Sequence, residues 1–108
     1  MPAGREADAR RFYSGLLGIP EKGKPAHLLG RGGVWFEDGA VKVHLGVDAE
    51  FRPARKAHPG LLVANLNALV GALRGAGHEV IDGEPLEGVV HAYVEDPFGN
   101  RLELLERI

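Results

Sequence analysis

The chain has 108 residues, 44% hydrophobic and 26% charged, with a formal net charge of −2; that is one domain, long enough for a core but not by a wide margin. So even a charge balance excludes a nucleic-acid footprint, and the absence of cysteine excludes a disulfide framework, a zinc ribbon and a thiol nucleophile. No apolar run is long enough to span a bilayer and no apolar segment follows Met1, so the expectation is a soluble cytoplasmic protein that has neither membrane nor nucleic acid as a partner.

Met1 to Arg5 reads as a loop. A helix follows, with Glu6 and Asp8 in its first turn, where the helix dipole favours acids. Its apolar stripe is Ala9, Phe12, Tyr13, Leu16 and Leu17; Gly18 suits the position after the helix and Pro20 forbids continuation. Three strands are expected next, at about Ala26–Leu29, Val34–Glu37 and Val41–Val47. Gly30-Arg31-Gly32-Gly33 and Asp38-Gly39 are the turns between them. The third strand alternates, with Val41, Val43, Leu45 and Val47 on one face and Lys42 and His44 on the other.

Asp48 to Ala57 is polar, contains Pro53, and reads as a linker. His58 to Ala64 is a short apolar strand. Asn65 can cap a second helix whose buried stripe is Leu66, Leu69, Val70 and Leu73, and Gly77 ends it. Strands are expected at His78–Ile81, Val89–Glu95 and Arg101–Glu106. The last two form a hairpin through Asp96-Pro97-Phe98-Gly99, which fits a type I turn. On its second arm Leu102 and Leu104 point one way, Arg101 and Glu103 the other.

The order helix, strand, strand, strand occurs twice. Gly18 and Gly77 lie 59 positions apart, and so do His44 and Glu103. Under that shift Lys42-Val43-His44-Leu45 falls on Arg101-Leu102-Glu103-Leu104, polar on polar and apolar on apolar. The second copy has a strand before its helix; the first has none, so a first strand is missing. A strand of about five residues buries about two or three side chains, each stabilising by roughly 1.5–3 kcal/mol. That is comparable with the lower end of a domain's whole stability, about 5–15 kcal/mol. A partner subunit or a rearranged N-terminus is expected to cover the exposed sheet edge.

Two such βαβββ modules, with EDPFGNRLELLE near the end and FYSGLLGIP after the first helix, resemble the vicinal-oxygen-chelate superfamily. It includes glyoxalase I, fosfomycin-resistance thiol transferases, extradiol dioxygenases and bleomycin-binding proteins. The resemblance runs from about Gly4 to Glu106. It implies an α+β fold with module one at about 1–47, a linker at 48–57 and module two at about 58–108. It also implies two half-cups around a site, with metal ligands from the first and last strands of each module. Carried over to this chain, those ligands are His44, His58 and Glu103, with Glu103 also the candidate catalytic residue. The fourth ligand position belongs to the missing strand. Pro59 after His58 departs from the family's usual aliphatic residue, but Pro is tolerated at a strand start.

Two imidazoles and one carboxylate suit a divalent ion, with Zn, Ni, Mn, Fe and Co as the candidates, and leave positions open for substrate oxygens. Such an ion polarises a carbonyl or stabilises an enediolate. Trp35, Lys42 and Arg101 are candidate substrate-binding residues, the two cations for an anionic group. Phe51, Arg52 and Arg55 lie in the linker, and His27, His78 and His91 have no evident partner and read as structural. Phe12 and Tyr13 read as helix packing, with the Tyr13 hydroxyl able to reach a pocket rim.

No phosphate loop, HExxH or GxSxG is present. Three functions stay open: a metal-dependent lyase, transferase or dioxygenase acting on a small oxygenated substrate, a metal-free small-molecule binder of the bleomycin-resistance type, and an incomplete, inactive form. A homodimer is expected. The rival fold is the ferredoxin-like arrangement, disfavoured because three strands follow each helix.

Overall fold

The computed structural model describes Met1–Ile108, and the chain divides into two units, Met1–Arg52 and Pro53–Ile108, within the polar stretch 48–57.

In the first unit, helix α1 starts as an α-helix at Glu6–Ala9 and continues as a π-helix over Arg10–Leu16. The wider turn shows in the Leu17 N–H, which donates to the Phe12 carbonyl at 2.9 Å. Ala9, Phe12 and Tyr13 are buried, and the Tyr13 ring stacks on Phe36 with centroids 5.4 Å apart. Tyr13 is thus a core residue, not a rim residue. Gly18 ends the helix at φ 76°, the left-handed conformation that glycine adopts without cost.

The strand expected at Ala26–Leu29 is a 3₁₀-helix, Ala26–Arg31. Pro25 sits just before it, and the Leu28 N–H bonds back to the Pro25 carbonyl at 2.9 Å. The third strand of this module is instead β1, Glu21–Lys22, paired antiparallel with β2, Val34–Asp38. A tight turn at Gly39 leads to β3, Val41–Leu45, which completes the sheet β1-β2-β3. Val34 and Phe36 face the core; Trp35 and Glu37 face the other way.

Gly33, at φ 81°, precedes β2, and a Cβ there would lie 2.1 Å from the Leu45 carbonyl oxygen. Its N–H donates to Glu6 Oε2 at 2.9 Å, and this bond draws the Glu6 carboxyl below its ordinary range.

The outer edge of β3 has no neighbouring strand. The Met1 ammonium donates to the Gly46 carbonyl at 2.8 Å, and the Asp48 N–H donates to the Met1 carbonyl at 2.9 Å. These bonds cover only the chain just past the end of β3.

The second unit has the extra strand. β4, Gly60–Leu62, pairs parallel with β7, Arg101–Arg107, in a sheet ordered β4-β7-β6-β5, where β5 is Val80–Asp82 and β6 is Val89–Glu95. Helix α2, Leu66–Gly75, buries Leu66, Val70 and Leu73. Its N-terminus is doubly capped: Asn65 Oδ1 accepts the Ala68 N–H at 3.1 Å, and Glu106 Oε1 accepts the Leu66 N–H at 2.7 Å. Ala92, Val94, Leu102 and Leu104 are buried on one face of the sheet.

The β6–β7 turn is held by Asp96. Its Oδ1 accepts the N–H groups of Phe98 and Asn100 at 2.9 Å each, and its Oδ2 accepts the Asn100 side-chain amide at 2.8 Å. The α+β class and the repeated module are as the sequence implies, with the counterpart of β4 missing from the first unit.

Candidate active site

The hairpin register sets the site. Tyr93 lies opposite Glu103, Glu95 opposite Arg101 and His91 opposite Leu105. Because side chains alternate, His91, Tyr93, Arg101 and Glu103 share the face turned away from the buried leucines. β4 starts beside the same place, with Gly60 paired to Glu103, so His58 arrives next to that carboxylate.

Glu103 is held between two imidazoles. His58 Nε2 is 3.0 Å from its Oε1, and His91 Nδ1 is 2.7 Å from its Oε2. The outer ring nitrogens are also engaged: His58 Nδ1 donates to the Lys56 carbonyl at 2.7 Å, and His91 Nε2 donates to the Glu84 carbonyl. Every imidazole nitrogen therefore faces an oxygen acceptor.

The His91 side chain is only 4% exposed. The Glu84 carbonyl is the main cause raising its pKa, against desolvation, and Glu103 adds to the rise. Burial pushes the Glu103 carboxyl up, but the hydrogen bonds from His58 and His91 outweigh it and the pKa falls. The pairing thus favours the charged forms of both His91 and Glu103.

His58 and Glu103 bring an imidazole and a carboxylate together, a donor pair that fits a divalent ion. Both imidazole and carboxylate are common ligands of such ions, and a ligating histidine commonly donates its other N–H to a carbonyl.

His44 lies in the first unit. Its Nε2 is 2.7 Å from Glu37 Oε2, and its ring lies flat on Trp35, with centroids 3.8 Å apart and planes 2° from parallel. The His44 hydrogen bond is the main cause lowering the Glu37 pKa. Lys42 Nζ reaches Glu37 Oε1 at 3.3 Å. Among the expected ligands, His58 and Glu103 are brought together. No group of three or more His, Cys, Asp or Glu side chains is arranged to hold a metal ion.

Arg101 stacks its guanidinium over the Tyr93 ring, 4.4 Å from the centroid. Tyr93 also makes edge contacts with His58 and His91, centroids 5.5 Å apart in each case. Beside them opens a cleft of about 450 Å³ whose lining includes Arg55, His78, Ile81, Tyr93 and Arg101.

Sequence reasoning missed Tyr93 and took His91 for a structural residue. The signal was available: once the Asp96–Asn100 turn fixes the hairpin, His91 and Glu103 are diagonal neighbours on one face.

No protein-family model and no curated protein matches the chain. Solved structures do. A glyoxalase family protein of Bacillus anthracis is 42% identical over 100% of this chain and 88% of its own, with a TM-score of 0.94. TnmS3, an antibiotic binding protein from Streptomyces, is 18% identical over 100% of this chain and 91% of its own, TM-score 0.72. Lactoylglutathione lyase from Agrobacterium tumefaciens is 18% identical over 98% of this chain and 88% of its own, TM-score 0.71. The last two show a shared fold; the first shows kinship, and the chain belongs to the glyoxalase family of the vicinal-oxygen-chelate superfamily.

Proposed function

We propose that this protein is a divalent-metal-dependent enzyme acting on a small oxygenated substrate, with His58 and Glu103 as metal ligands in the second unit and His44 a candidate ligand in the first. The observation that carries the reading is the His58–Glu103 pair: Nε2 and Oε1 lie 3.0 Å apart, with Nδ1 already committed to the Lys56 carbonyl. His44 supports it, because its contact with Glu37 and its stacking on Trp35 fix the orientation of its ring. In this reading the catalytic role of Glu103 is to hold the ion, with its two oxygens set by His58 and His91. When bound, the ion supplies Lewis acidity toward a carbonyl or enediolate oxygen. Arg101 and Arg55 attract an anionic substrate group, Lys42 adds charge in its own unit, and Trp35 and Tyr93 offer flat apolar contact.

Protein purified without chelator and analysed for Zn, Ni, Mn, Fe and Co is expected to carry a stoichiometric divalent ion. Glu103→Gln and His58→Ala are expected to lose it. No uptake of any of these ions by the wild type overturns the reading.

A metal-free binder is the second reading, favoured by the open cleft beside Tyr93 and Arg101 and by likeness in fold to an antibiotic binding protein. Ligand capture that survives chelation would decide for it. The protein is further proposed to be cytoplasmic, in keeping with its lack of cysteine, and a homodimer in which a second copy covers the β3 edge. No helix is long and apolar enough to cross a membrane.

A further inference from the structure

We infer that His91 is a positioning residue: it holds Oε2 of Glu103 so that Oε1 alone is presented beside His58. The inference rests on the reading of Glu103 as a metal ligand, but its geometry stands apart from that reading. A glutamate on the polar face of a strand ordinarily turns freely about three torsions. Here one oxygen is pinned at 2.7 Å by an imidazole whose other nitrogen is anchored on the Glu84 carbonyl.

The anchor is built into the fold. The side chain is almost wholly buried. It fills space that only glycine leaves open at position 83, where a Cβ would fall 2.4 Å from both Cε1 and Nε2 of His91. The Gly83 N–H donates to the His91 carbonyl at 2.9 Å, so the same two residues are tied along the backbone. The segment between β5 and β6 therefore closes on the imidazole from behind. Glu103 and Tyr93 also contact the ring.

Two substitutions separate positioning from space filling. Asparagine places its amide nitrogen near the His91 Nδ1 position and can still donate to Glu103. Glutamine places its amide nitrogen near Nε2, fills more of the volume, keeps the Glu84 bond and abandons Glu103. Titration with Co(II), read by the ligand-field absorption of the ion, measures both affinity and ligand geometry. His91→Gln is expected to weaken Co(II) binding about 10–100-fold and shift the bands, as loss of an outer-shell partner commonly does. His91→Asn is expected to stay close to the wild type. Gly83→Ala, which displaces the ring without changing residue 91, is expected to follow His91→Gln.

The same three variants are read without metal by the ¹⁵N shifts of the His58 ring. Its Nε2 signal is expected to move in His91→Gln and Gly83→Ala and to hold in His91→Asn. Glutamine matching the wild type while asparagine fails, or all variants matching it in both measurements, overturns the inference. Wild-type protein that takes up no Co(II) overturns the metal reading alone, and the His58 shifts then decide on His91. Should Gly83→Ala not fold, the asparagine and glutamine pair gives the answer by itself.

Discussion

At the scale of single residues, Glu103 and His91 make stability depend on pH in a set direction. The Glu103 pKa is lowered from an ordinary 4.5, so its contribution is present above that value and is lost as pH falls through the folded-state value. The His91 pKa is raised from 6.5, so its contribution is present below 6.5 and is lost as pH rises through the folded-state value. Both are fully present only between these two values. In chelated protein, the stability lost in His91→Asn, measured by urea unfolding, should therefore be larger at pH 5.5 than at pH 9. An equal loss at both would contradict the ion pair. Tyr93 belongs to this scale too, since Arg101, His58 and His91 all contact its ring. Tyr93→Leu should weaken ligand binding in the cleft while leaving the unfolding midpoint within a few degrees.

At the scale of elements, the turns do more than connect. Asp96 satisfies three donors in the β6–β7 turn, and that turn sets the register which brings His91 and Glu103 together. Asp96→Ala should cost about 2–3 kcal/mol and also disturb the His58 ring signals, a distant effect that simple turn loosening would not give. In the first unit, Gly33→Ala should cost more than about 2 kcal/mol, because a Cβ meets backbone rather than a movable side chain. Thermal unfolding of the two variants checks both figures.

These same elements show what the sequence made legible. Asn65 as a cap, Gly18 and Gly77 as helix ends, and the Asp96 turn each have a local physical cause, and local causes can be read from one chain. Ala26–Leu29 could not be read this way. A four-residue segment with three apolar residues fits a strand or a helical turn equally well, and Pro25 tips it toward the turn. β1 escaped notice because Glu21 and Lys22 are both exposed and alternate nothing. His58 and Glu103 were paired through a family likeness; the third member, His91, needed the hairpin register.

At the scale of the whole molecule, the two units are unequal. One sheet has four strands and the other has three, and the difference leaves the hydrogen-bonding edge of β3 without a neighbour from Val41 to Leu45. An unpaired edge beside an otherwise intact sheet invites a second chain. Light scattering across a dilution series should show a dimer. Lys42→Pro removes a backbone donor in the middle of that strand and should shift the series toward monomer or aggregate. A monomer at every concentration, with β3 amides protected from hydrogen exchange, would contradict the proposed pairing.

The flat stack of Trp35 on His44 has a practical side. The chain contains a single tryptophan, so its intrinsic fluorescence comes from one indole lying against one proposed ligand. A protonated imidazole in contact with indole quenches its emission, and so does a nearby paramagnetic ion. Steady-state emission from unlabelled protein can thus follow events at position 44 alone, and Co(II) added during the titration should dim it in step with occupancy if His44 takes part.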